Sequence, residues 1–309
     1  MSGYLMLILC VVPAAFLLFI AMALRKGMRT TAAASFAFPL CVLSGFVFAK
    51  GFYVLLMETG RIVEWGEWDA LFSLQPRTFC FTGGAVGVWL GLLLSARLTG
   101  CRPAGKFLDL FTVPGTLLIA GLRLAETELG NLGTGRFVGP ESGGLASLLI
   151  MTNEYGEAHV AVFAWEAIAA IIVGALSFTD RADRPGARFE TAVFRLCVCQ
   201  ILLENLRSRA LCWGFVRVEQ VLCAVILMVL MLAACCRNTK KQGAVRFLPA
   251  LGLLICFAAI VGIEFLRQRS PSRFMGETGG FLLMGCVLAV MLLLYRSVTA
   301  GLRRPGRSH

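Results

Sequence analysis

The chain has 309 residues, 58% of them hydrophobic and 15% charged, and a formal net charge of +11. A soluble domain carries about 25% charged residues, so this composition excludes an ordinary water-soluble fold and points to a chain whose solvent is mostly lipid. The basic residues are scattered between apolar runs, which excludes a nucleic-acid-binding surface and fits lysine and arginine beside anionic headgroups.

A helix that crosses a bilayer needs about 20 mostly apolar residues. In chain order the candidates are Tyr4–Leu24, Thr31–Met57, Cys80–Leu98, Leu108–Leu124, His159–Phe178, Thr191–Leu206, Val218–Cys236, Phe247–Leu266 and Gly279–Tyr295. The first has no basic segment before it, so it reads as a helix and not as a signal peptide. The sixth is short and carries polar residues, so the fold class is all-α, a polytopic transmembrane bundle of about eight or nine helices.

Lysine and arginine alternate from loop to loop. One set holds Arg25, Lys26 and Arg29; Arg97, Arg102 and Lys106; Arg181, Arg184 and Arg188; Arg237, Lys240, Lys241 and Arg246; and Arg296, Arg303, Arg304 and Arg307. The loops between them are poorer in these residues and richer in glutamate. Under the positive-inside rule this places the N-terminus outside and the C-terminus in the cytoplasm. The longest outer loop, Ala125–Ala158, is glycine-rich and acidic, and reads either as a flexible connector or as a loop that approaches a ligand closely.

Most of the twelve cysteines lie inside apolar runs, none forms a paired C-x-x-C, and the only histidines are His159 and His309. The cysteines therefore read as small buried hydrophobes, and neither a metal centre nor a cofactor is expected.

The few charges within spans need a reason, because each is costly in hydrocarbon. Lys50, near a helix end, reads as structural, with its ammonium snorkelling to the interface. Arg123 and Glu126 are spaced to share one helical face. Glu166 has no charged neighbour in sequence, so it should face the bundle interior. Gln200, Glu204 and Arg207 fall on one face at i, i+4 and i+7. Glu204-x-Leu206-Arg207-x-Arg209 is echoed by Glu264-x-Leu266-Arg267-x-Arg269, which leaves an internal duplication open. Guanidinium groups on the outer side fit a phosphate-bearing ligand or headgroup anchoring.

From Phe81 to about Leu230 these residues resemble the bacterial prolipoprotein diacylglyceryl transferases. The family's H-G-G-x-x-G run is similar to Thr82-Gly83-Gly84-Ala85-Val86-Gly87, and a leucine–aspartate step follows at Phe107-Leu108-Asp109-Leu110. Its G-R-x-G-N-F-x-N-x-E-x-x-G-R signature is similar to the stretch from Leu122-Arg123-Leu124-Ala125-Glu126 through Gly135-Arg136. Its Y-E-A is similar to Trp165-Glu166-Ala167, and its R-F-x-x-E-F-x-R to Gln200 through Arg207. Its G-F-x-x-x-Q resembles Gly214 through Gln220. Three positions depart from the pattern: Thr82 stands for the family histidine, Glu126 for an asparagine and Gln200 for an arginine.

The resemblance implies a multi-pass enzyme of the bacterial cytoplasmic membrane. Such an enzyme moves a diacylglyceryl group from phosphatidylglycerol to the lipobox cysteine of a prolipoprotein, whose signal peptide it binds at the outer face. With the family histidine replaced, catalysis requires a carboxylate in its stead: Glu126 reads as the base, with Arg123 holding the phosphate and Glu204 and Arg207 orienting it. Gly83, Gly84, Arg136, Glu166, Gln200 and Arg207 would then bind substrate. The transferase-like domain would span residues 1–236, and 237–309 would add a pair of helices. Two other readings stay open: a paralogue that binds lipid or lipoprotein without chemistry, and a transporter using Lys50, Glu166, Glu204 and Glu264.

Overall fold

The apolar runs fold as helices because, in lipid, every backbone N–H and C=O must find its partner within its own segment. The structure, a computed structural model, describes residues 2–58, 72–75, 78–132, 134–135, 137–138, 149–152, 155–180, 184–208, 210–213, 216–238, 243–269 and 278–302. Within them lie α1 (Ser2–Leu24), α2 (Met28–Tyr53), α3 (Phe81–Leu98), α4 (Ala104–Ala125), α5 (Val162–Thr179), α6 (Ala187–Glu204), α7 (Val218–Arg237), α8 (Leu248–Arg269) and α9 (Thr278–Leu302). Four short strands, β1 (Ile150–Thr152), β2 (Ala158–Val160), β3 (Cys212–Trp213) and β4 (Val216–Arg217), form two antiparallel pairs.

All of these helices except α6 are long and apolar enough to cross a membrane. The chain is thus an all-α, multi-pass membrane protein, as its composition predicts. In α6 the charged residues Arg188, Glu190, Arg195 and Glu204 dilute the apolar content. One face of it still buries Phe194, Cys197, Val198 and Ile201. Pro13, Pro39 and Pro114 sit inside helices, a placement that neighbouring helices make tolerable in a bundle.

The chain forms two compact units, one of Met1–Ala192 with Leu203–Val221 and the other of Val193–Leu202 with Leu222–His309. The second is a core of methionine, leucine and cysteine in which Phe194 stacks on Tyr295 at 4.0 Å between ring centroids. In the first, Phe16, Phe19, Phe107 and Phe111 interlock α1 with α4, with Phe19 5.0 Å from both Phe107 and Phe111.

The glycines of α3 close the contact with α2. A Cβ on Gly91 would lie 2.9 Å from the Cα of Cys41, and one on Gly83 would lie 2.8 Å from the Cβ of Phe52. Ser44 Oγ stands 2.7 Å from the carbonyl of Gly87 across the same seam. Small residues that let backbones approach are how membrane helices gain van der Waals contact without a hydrophobic driving force. Gly91→Ala is therefore expected to cost about 1–3 kcal/mol by overpacking. A thermal midpoint in detergent equal to that of the parent protein would show that the seam can give way.

Two expectations change in detail. Lys50 does not snorkel: it is 7% exposed and donates to the Ser73 carbonyl at 2.6 Å and to Thr78 Oγ1 at 3.0 Å. It thereby ties the segment before α3 to α2. The fifth predicted span begins too early. Residues 158–160 pair with β1 instead of entering the helix, and Gly135 N donates to Val160 O at 2.7 Å. Their backbone groups are satisfied by strand pairing, and α5 starts at Val162.

Candidate functional site

Successive helices bring the C-terminal ends of α4 and α6 together with the N-terminal ends of α3, α5 and α7. The charges singled out in sequence meet there, all within the first unit. Arg123, in the last turn of α4, is 4% exposed, and Glu166, in the second turn of α5, is as deeply buried. Glu126 receives one guanidinium on each oxygen: Arg123 Nη1 on Oε1 at 2.6 Å and Arg207 Nη1 on Oε2 at 2.9 Å. Glu166 Oε2 receives Arg207 Nη2 at 2.5 Å and faces Arg123 Nε at 3.1 Å. Glu204, the last residue of α6, lies 3.8 Å from Arg207 Nε.

The result is a network of two guanidiniums shared among three carboxylates. Burial by itself would lower the pKa of Arg207; the carboxylates of Glu166, Glu126 and Glu204 outweigh it and hold the guanidinium above its ordinary range. Arg207 therefore stays charged, and its planar fork suits two oxygen partners at once.

A fourth acidic side chain, missed in sequence, lies beside this network. Glu219 opens α7 and is 5% exposed. Its carboxylate accepts from Phe81 N at 2.8 Å, from Thr82 N at 3.1 Å and from the Thr82 hydroxyl. The Cys80 thiol, which also accepts from Gly83 N as the N-cap of α3, points at Glu219 Oε1 at 3.3 Å. A carboxylate there satisfies orphan N–H groups and meets the positive end of the helix dipole. Phe81 in turn carries the Arg123 guanidinium over its ring face, 3.7 Å from the centroid. Glu219 looked like one more loop acid. The only hint was its place at the start of an apolar run, where an acidic first turn supports a helix.

The described ends of the long loop fold back onto the cluster. Glu126 begins a 3-10 turn, Glu126–Leu132, Gly135 bridges to Arg207, and Ser208 Oγ donates to Thr134 O at 2.9 Å. A Cβ at Gly135 would stand 2.6 Å from the carbonyl oxygen of Leu206 and from a methyl of Val162, so only glycine fits.

Of the residues named from sequence, Arg123, Glu126, Glu166, Glu204 and Arg207 come together. Gly83 and Gly84 sit at the α2–α3 seam, close to Phe52 and Ala49. Gln200 belongs to the second unit, half-buried on α6, and Arg136 lies outside the described residues. Among the described residues no three of His, Cys, Asp and Glu are grouped to hold a metal ion, and all twelve cysteines are unbridged.

In comparisons with known proteins, no protein-family model, no curated protein and no solved structure matches the chain. Fold and site together define an all-helical, multi-pass membrane protein with a buried arginine–glutamate network at one end of its helices.

Proposed function

We propose that the chain transfers a diacylglyceryl group from phosphatidylglycerol to the lipobox cysteine of prolipoproteins at the outer face of the bacterial cytoplasmic membrane. One observation carries this reading. Charged residues that the sequence reading picks out on, or just beyond the ends of, three separate helices lie in one hydrogen-bonded cluster. The cluster stands at the helix ends that the lysine and arginine asymmetry assigns to the outside. Charges inside a membrane bundle are expensive and are kept mainly for function.

The chemistry needs two things that such a cluster supplies. The thiol must lose its proton to a base so that the thiolate sulfur can attack the glyceryl carbon. As the S–C bond forms, the C–O bond to phosphate breaks and glycerol phosphate leaves with the electron pair. Arg123 and Arg207 offset the charge that gathers on the leaving group. Both guanidiniums are held by carboxylates, so a phosphate must take the place of at least one carboxylate oxygen. Glu126 is the base in this scheme, and one of its two guanidinium bonds opens before it accepts the proton.

A second reading, a paralogue that binds lipid or lipoprotein without chemistry, is favoured by one contact. Thr82 stands where the family has its histidine, and its hydroxyl is committed to Glu219.

Complementation separates the two. The full chain is expressed in a bacterium depleted of its own diacylglyceryl transferase, and the mass of a model prolipoprotein is followed. A diacylglyceryl adduct on the lipobox cysteine is the expected result. No adduct, from a chain shown to be folded in the membrane, would overturn the transferase in favour of the binding paralogue.

A further inference from the structure

We infer that Arg217 and Glu219 form a positioning strap that holds the Arg123 and Arg207 guanidiniums at a set spacing for a lipid phosphate. The ligand in this inference rests on the phospholipid reading above; the strap itself rests on contacts. The two residues stand two apart, at the junction of β4 and α7, and each grips a different helix end of the same unit.

Arg217 grips the end of α6. Its Nη1 donates to the Arg207 carbonyl at 3.0 Å and to the Glu204 carbonyl. The last carbonyls of a helix have no partner within it, and a cation there also meets the negative end of the dipole. Arg217 thus holds the backbone of the residue whose own guanidinium reaches Glu126 and Glu166.

Glu219 grips the start of α3 through Phe81 N, Thr82 N and the Thr82 hydroxyl. That fixes Phe81, on whose ring the Arg123 guanidinium lies. The middle of the strap is pinned as well, because Val218 N donates to Leu211 O at 2.9 Å. Moving the strap therefore moves both arginines, one through its backbone and the other through the ring beneath it.

The two arginines lie on different segments, so nothing local sets their spacing. A phosphate held by both needs that spacing to within a fraction of an ångström, since a misplacement of about 1 Å costs on the order of 10²-fold in rate. Cross-bonding through Glu126 and Glu166 joins the guanidiniums to each other, and a bound phosphate would displace part of it. The strap leaves those side-chain oxygens untouched and keeps the spacing when the carboxylates give way.

Cys80 offers a local readout. It is fully buried and hydrogen-bonded to Glu219, while Arg217 bonds to the carbonyls of Glu204 and Arg207. In the full-length chain in phosphatidylglycerol nanodiscs, Arg217→Gln is expected to raise maleimide labelling of Cys80, read by peptide mass, about ten-fold. The kcat/KM for phosphatidylglycerol should fall by about ten-fold or more, with kcat carrying part of the loss, because the displaced guanidiniums also answer the charge on the leaving group. Arg217→Lys, which keeps a donor and a charge, is expected to restore most of both. Glu219→Gln should reproduce both changes if Arg217→Gln expresses poorly. Unchanged Cys80 labelling in a folded Arg217→Gln protein would overturn the strap. Raised labelling with an unchanged kcat/KM would overturn its role toward phosphate. If the parent chain neither binds phosphatidylglycerol nor transfers from it while Cys80 still follows Arg217, the phospholipid reading falls and the strap stands.

Discussion

Arg207→Ala is expected to destabilise the protein by about 3–5 kcal/mol, because it removes one member of a buried ion network and strands the others. Arg207 supplies the bond to Glu126 Oε2 at 2.9 Å and the shortest bond to Glu166, a carboxylate only 2% exposed. Alanine leaves two buried carboxylates to share Arg123 as their one remaining guanidinium, with one oxygen of Glu126 unanswered. Arg207→Lys is expected to recover little, since one ammonium cannot reproduce a planar fork that addresses two carboxylates at once. Combining Arg207→Met with Glu166→Gln should recover part of the loss, because it removes the stranded charge along with its partner. The measurement is the thermal midpoint of the purified protein in one detergent for all four chains. An Arg207→Ala midpoint equal to that of the parent would mean that water or lipid headgroups already satisfy these carboxylates, and the network would lose its standing as a buried one.

Glu126→Gln tests the chemistry and not the fold. Glutamine keeps the size of the side chain and one oxygen acceptor, so one of the two guanidiniums keeps its bond while the other meets an amide NH2 that cannot accept; the midpoint should fall, but less than in Arg207→Ala. What it removes is the capacity to take a proton. If Glu126 is the base, diacylglyceryl transfer should fall by about 10²–10⁴-fold, the usual contribution of general acid–base catalysis. The assay is single-turnover transfer to a model prolipoprotein at saturating phosphatidylglycerol, which separates chemistry from binding. Full activity in Glu126→Gln would sink this assignment and turn attention to Glu204, whose contact with Arg207 is the longest in the cluster at 3.8 Å.

Much of the fold was legible in the sequence, and the reason is local. A run of about 20 apolar residues has one low-energy form in lipid, since only a helix satisfies its backbone from within. The spans could thus be read along the chain, and Arg123 and Glu126 could be paired because i, i+3 spacing sets them on one face. The misreadings came where the backbone has another partner. His159 lies next to an apolar run, yet its segment pairs with β1. Lys50 was placed at an interface by its flexible stem, yet the segment after α2 returns to cover it.

The site itself was decided by tertiary structure. Glu126 and Arg207 are separated by 81 residues, Glu166 and Arg207 by 41, and Phe81 and Glu219 by 138. Nothing in the sequence between such partners specifies that they meet. They meet because antiparallel helices return the chain to the same end, and the glycine seam of α3 and the phenylalanines of α1 and α4 set how closely those ends approach. Sequence alone therefore determined that this is a multi-pass helical membrane protein and which buried charges need partners, because hydropathy and burial cost act residue by residue. Which partner each charge takes, and that Glu219 belongs beside α3, only the packing of the helices could decide, because an ion pair depends on distance in space and is blind to distance along the chain.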